Sequence, residues 1–178
     1  MRKLHPLSLL SCCVLAACSV LTPAPLQTVY DLGPAPAARV PAPVQLVEVS
    51  APSWMNGPAM AYRLDYSDPL QRQSYRDSRW VAPPAELLAE RLRQRLEPRG
   101  APRPLRLDLE SFEQQFSTVA QSEVRIRVRA TLGGPTGLQR VFEVHQAAGA
   151  DAASGVRALA LASDVLVADV LGWAAEAP

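Results

Sequence analysis

Cysteine is missing from everything beyond position 18: the only three are Cys12, Cys13 and Cys18. A domain built from the rest of the chain has no disulfide and no thiol nucleophile. Histidine is almost as scarce, with His145 alone after His5. One histidine without cysteine cannot assemble a metal site except from scattered carboxylates. Lysine occurs once, at Lys3, and no block of like charge appears anywhere, so nothing points to nucleic acid. The chain also lacks a G-x-S-x-G elbow, a P-loop and a dinucleotide glycine fingerprint. These gaps leave no catalytic residue, cofactor or metal to name.

What is present begins at the N-terminus. Arg2 and Lys3 precede an uncharged apolar or small stretch over 7–17. That stretch has the length of a signal-peptide core and is well short of the roughly 20 residues a spanning helix needs. It ends in Leu15-Ala16-Ala17-Cys18, the pattern of a bacterial lipobox. Small residues before the cysteine let a peptidase reach the backbone, and the Cys18 thiolate is the nucleophile that accepts a diacylglyceryl group. Cleavage then frees the Cys18 amine for a further acyl chain, and two or more chains give a stable anchor where one gives a marginal one. The expectation is a signal peptide over 1–17 and lipidation at Cys18, with the protein on the periplasmic face of a membrane. Ser19, in place of an aspartate, favours the outer membrane over the inner one. Removing 17 of the 178 residues leaves 161, enough for one domain with a real core. Losing Arg2 and Lys3 takes the basic residues from 18 to 16 against 17 acidic ones, a net charge of −1.

Residues 18–43 are rich in proline and alanine and read as a tether, with 44–178 as the domain. Ten extended residues over 19–28 would reach on the order of 30 Å. Within the tether, residues 29–32 could dock as a short strand. Strands are expected at 44–49, 61–66 and 74–80, and a helix over 85–96 opened by Pro83-Pro84. Its apolar stripe is Leu88, Leu92 and Leu96, with Glu90, Arg91, Arg93 and Arg95 toward water, and Pro98 and Gly100 end it. Leu105, Leu107 and Leu109 alternate with polar residues, as do Val124, Ile126, Val128 and Ala130. The turn cluster at 133–137 leads to a hairpin partner at 141–147, and a mostly apolar helix follows over 152–175. The fold class expected is α+β, an α/β sandwich: a mixed, mostly antiparallel sheet packed with two main helices in the order β-β-β-α-β-β-β-α.

Candidate chemistry is thin. His145 in a hairpin strand reads as a surface or hydrogen-bonded residue. Asp108 and Glu110 could be paired acids, but cross-strand pairing with Arg125, Arg127 or Arg129 is the better account. Those arginines could alternatively meet lipid headgroups. Trp54, Met55 and Met60 form either an exposed loop, as an interaction edge or a membrane-dipping tip, or one folded back on the core. On the last helix Leu159, Leu166, Val170 and Trp173 form a stripe, Val156, Val167 and Leu171 lie off it, and any excess would mark an oligomer or partner contact.

The order and spacing of LAAC, YDLGP, VQLVEVSAP, AYRLDY, RWVAPPAELLAERLRQRL, LESFEQQF and SEVRIRVRATL resemble the auxiliary lipoproteins of ABC-type transport systems, the PqiC-like family, over nearly all of the mature chain. The resemblance implies a non-catalytic lipoprotein, not an enzyme. It would act beside an ABC ATPase, a permease and an MCE-type substrate-binding protein, moving phospholipid or other hydrophobic cargo between inner and outer membranes. It also implies a compact domain able to form homo-oligomers, and it carries Cys18 across as the one functional residue. The other reading of the residues is a periplasmic lipoprotein enzyme with a carboxylate site.

Overall fold

The computed structural model describes residues 26–178. Among them one seven-stranded sheet and two helices follow the order β1 (Thr28–Tyr30), β2 (Val40–Ser50), β3 (Ala59–Leu64), β4 (Asp68–Trp80), α1 (Pro84–Arg95), β5 (Leu96–Phe116), β6 (Ser122–Leu132), β7 (Leu138–Ala148) and α2 (Ala152–Glu176). The class is α+β, as the periodicity implies. β5 is the organising strand. Its whole second half pairs with β6 on one edge, while the other edge takes β2 first and β3 later.

The β5–β6–β7 meander is antiparallel and alternates regularly. Leu105, Leu107, Leu109, Val124, Ile126, Val128 and Ala130 are buried on one face, with polar residues on the other. The sheet is mixed, as expected: beyond β5, β3 and β4 pair antiparallel, but β2 and β3 both run parallel to β5, and β1 runs parallel to β4. Parallel pairing needs a long crossover, and α1 with the β3–β4 hairpin supplies it. A single apolar cluster joins the inward strand residues to Leu88 and Leu92 of α1 and to Leu159, Leu166, Val170 and Leu171 of α2. By length and composition α2 could cross a membrane, but half of its most apolar window is buried in this core.

Two expected boundaries are corrected. The proline-rich segment does not remain a tether to residue 43. β1 pairs with β4, Leu32 and Ala42 are buried, and β2 begins at Val40, with Pro41 and Pro43 inside it. Proline is tolerated there because β2 pairs only with β5 and its other edge needs no donor. The first helix is not ended by Pro98 and Gly100. It stops at Arg95, and Leu96 is already extended, with ψ 128°.

The second helix starts with Asp151, whose carboxylate accepts from the Ser154 N–H at 2.7 Å in a capping box. It has no basic residue in its last turn, and Arg103 of β5 serves instead, donating to the carbonyls of Ala174, Ala177 and Pro178. Gly155 lets α2 approach the sheet: a Cβ there would stand 2.1 Å from the Gln114 Oε1. The buried Gln114 donates to Ser122 Oγ and Gly149 O and accepts from Tyr75 Oη, tying β5, β4 and the start of α2 together. Burial, with the nearby Tyr62 and Asp151, pushes the Tyr75 phenol up to about 12.

Candidate functional site

Cys18, the one site residue named from the sequence, lies outside the described residues, as do the expected signal peptide over 1–17 and the first part of the expected tether. The structure does describe where the chain arriving from it joins the domain. Residues 27–34 form a strap. Gln27 Nε2 donates to Arg76 O at 2.8 Å, β1 follows β4 from Thr28 to Tyr30, and Val81 N–H donates to Tyr30 O at 2.7 Å. Asp31 then accepts from the Gly33 N–H at 2.7 Å, and Gly33 turns the chain at φ 65°.

Arg91 of α1 fastens the strap. Its Nη2 donates to Leu32 O and to Gly33 O at 2.9 Å, and its Nη1 donates to Pro34 O and to Asp164 Oδ1 of α2, both at 3.1 Å. The residue is 2% exposed, so this corrects the expectation that Arg91 faces water. Arg95 is buried too. The contacting face of α1 is wider than a leucine stripe because both arginine stems fill it like hydrocarbon, and the Arg91 fork finds fixed acceptors. The YDLGP run carried the signal for a structured strap, but nothing in a single sequence marks Arg91 as its reader.

The outward sheet face is a ladder of charge. Glu110 holds Arg127 Nε at 2.8 Å and Arg129 Nη2 at 2.9 Å. Glu143 holds Arg125 Nε at 2.7 Å and pairs with Arg127 as well. His145 sits between Glu123 at 2.8 Å and Glu143 at 3.0 Å. The cross-strand pairing expected for Glu110 is therefore present, whereas Asp108 instead accepts from Ser50 Oγ at 2.6 Å. Hydrogen bonds from Arg127 and Arg129 hold the Glu110 carboxyl below its ordinary range. Burial alone would raise Glu143, but the hydrogen bonds from Arg127 and His145 and the ion pair with Arg125 outweigh it and bring the carboxyl to about 2. The hydrogen bond to Glu123 leads the effects that raise the His145 imidazole. Carboxylates held this firmly in the ionised form are poor proton donors. The three arginines are committed to carboxylates, which leaves little to grip a headgroup.

A second cluster escaped sequence reading. Glu113, buried on β5, takes Arg63 at 3.0 Å and Arg72 at 2.8 Å, and the Arg72 guanidinium stacks 3.6 Å from the Trp54 ring centroid. This resolves the loop at 53–60: Met55 and Met60 fold onto the core, while Trp54 is 55% exposed and covers Arg72. On α2, Val156, Val167 and Leu171 are buried with the expected stripe, Trp173 is half-buried against Phe142, and Leu161 and Val165 remain exposed. Among the described residues no three His, Cys, Asp or Glu side chains gather as metal ligands would.

The fold has known neighbours. The crystal structure of protein XCC0632 from Xanthomonas campestris, described as DUF330, superposes at a TM-score of 0.63 with 18% identity, covering 83% of this chain and 95% of that one. A second crystal structure, of an uncharacterized protein, gives a TM-score of 0.61 with 17% identity, covering 83% and 97%. No family model and no curated protein matches the chain. At these identities the likeness establishes a shared fold over nearly the whole of both neighbours.

Proposed function

We propose that the protein is a lipid-anchored, non-catalytic accessory lipoprotein of an ABC/MCE-type transport system, held by Cys18 on the periplasmic face of the outer membrane. The observation that carries this reading is the continuity from anchor to domain: a lipobox ending at Cys18, a short spacer, then a strap bound along β4 and read by Arg91. Such a path transmits position and not chemistry. The resemblance to PqiC-like lipoproteins supports it, and so does the fold neighbour, because PqiC-like proteins belong to DUF330. In this reading the domain is an α/β sandwich with both helices on one sheet face, and it needs no cofactor. Its partners are the membrane, an MCE-type substrate-binding protein with its permease and ATPase, and further copies of itself. The cargo is phospholipid or another hydrophobic molecule.

The test is affinity purification of the full-length, lipidated protein from detergent extracts, with the bound proteins identified by mass spectrometry. Co-recovery of an ABC ATPase, a permease and an MCE protein is the expected result. Recovery of none of the three would refute the reading and return attention to the carboxylate-enzyme alternative.

A further inference from the structure

Where α1 ends and β5 begins, the surface opens into a groove of about 700 Å³ against the start of β2. Its floor is hydrocarbon: Val44 and Leu96 are buried and Leu46 is half-buried, with Pro98 and Pro102 forming one wall. The prolines have no N–H to offer a peptide, so that wall is a poor edge for an added strand. Two arginines stand at the rim, Arg39 from the segment before β2 and Arg93 from α1, both exposed. Arg93 reaches Glu90 only at 3.5 Å with both side chains more than half exposed, a pair of little strength, and Arg39 enters no ion pair among the described residues. The adjoining groove along β2 and α1 shares Arg93 and also carries Glu48, Glu86 and Glu90, which repel an anion toward the side where Arg39 stands. Ligand sites of this size combine an apolar lining with a few polar groups that fix orientation. Here those groups are two guanidiniums, which favour phosphate through forked hydrogen bonds.

From this we infer that the groove binds a single-chain anionic amphiphile, its acyl chain on Leu46, Pro98 and Pro102 above the buried Val44 and Leu96, and its phosphate at Arg39 and Arg93. The inference rests on the groove alone and does not require membership in a transport system. The full-length lipidated protein, reconstituted in phosphatidylcholine vesicles, is exposed to photoreactive lysophosphatidylglycerol or photoreactive lysophosphatidylcholine, and the crosslinked peptides are mapped. Lysophosphatidylglycerol should label peptides containing 44–46 or 96–102 about tenfold more than the zwitterionic probe, equivalent to about 1.4 kcal/mol. Arg39→Ala with Arg93→Ala should erase that preference while leaving the circular dichroism spectrum intact, because both side chains are exposed. Arg140→Ala, at an exposed arginine remote in sequence, should retain it, and Leu46→Glu should abolish labelling by both probes. Excess inorganic phosphate should not displace the chain. Equal labelling by the two headgroups, crosslinks mapping elsewhere or to a protein, an unchanged preference in the double variant, or full displacement by phosphate would each overturn the inference.

Discussion

Arg91 offers a planar fork of five donors, and the strap and α2 present four oxygens to it. Buried guanidinium is tolerated only when its hydrogen bonds are made, so the residue and the strap depend on one another. Arg91→Ala should destabilise the domain by about 3–5 kcal/mol, since it strands Asp164 and three carbonyls. Arg91→Lys should recover only part of this, because a point charge cannot serve four acceptors in a fork. Chemical denaturation gives the magnitude, and loss of amide protection at Val29–Tyr30 identifies the strap as the part released. On the outer face the pH behaviour follows from opposite shifts. Glu143 falls from 4.5 to about 2, so its contribution is present above pH 4.5 and is lost as pH drops toward 2. His145 is raised above 6.5, so its contribution is full below 6.5 and disappears as pH rises through the folded-state value. Glu143→Gln should flatten the acid limb of the stability curve. His145→Ala should remove a small slope above pH 6.5, within about 1 kcal/mol because the pair is solvent-screened. An acid limb that stays as steep in Glu143→Gln would show that other carboxylates carry it.

The helices and strands divide by how far a local pattern determines them. On α1, Leu92 is fully buried and Arg93 is exposed. Leu92→Ala should therefore cost about 2–5 kcal/mol through lost contacts and a cavity. Arg93→Ala should change stability by no more than about 0.5 kcal/mol. Denaturation midpoints compared at equal slopes would reveal a wrong helix phase if the order reversed. The strands of the meander were legible because Val124, Ile126, Val128 and Ala130 alternate without interruption, and each helix showed its period and its start. The parallel docking of β2 and β3 on β5 was not legible, since alternation tells which face is buried and says nothing about which edge finds which partner. β1 was legible in outline, since residues 29–32 break the proline-rich run, but the first residues of β2 were hidden by Pro41 and Pro43, whose usual meaning is a linker and whose place here is an unpaired edge. Arg91 and Glu113 were misread or missed for a shared reason: charge predicts exposure only until the head finds fixed partners inside the fold, which is a tertiary fact. Arg95 is buried along its stem, and its Nε has no partner among the described residues.

For the whole molecule, in the proposed lipoprotein, the start of the strap sets how much chain lies between an anchor at Cys18 and the domain. Thr28 is the first residue of β1 and Gln27 is already bound to Arg76, so the free spacer after Cys18 spans at most 19–26. Eight residues at about 3.1 Å each reach roughly 25 Å, somewhat less than the proline-rich composition through residue 43 would allow. We predict that function depends on this length and on Cys18. Cys18→Ala should abolish acyl labelling and release or misprocess the protein, which mass spectrometry of the mature N-terminus would read directly. Deleting 20–25 should leave the domain folded, because it removes nothing from β1 or from the Arg91 contacts, yet it should impair a transport-linked phenotype by drawing the domain toward the bilayer and away from a partner standing off it. Restoring the length with an unrelated proline-rich segment should restore function, whereas a deletion reaching Thr28–Tyr30 should fail for a different reason, loss of the strap, and show it by circular dichroism. His145→Ala should complement fully. The arrangement is coherent only if the anchor acts through the distance it imposes: a folded, acylated protein that works equally well with 20–25 deleted would remove distance from the account, and loss of function in a folded, anchored His145→Ala protein would put chemistry in its place.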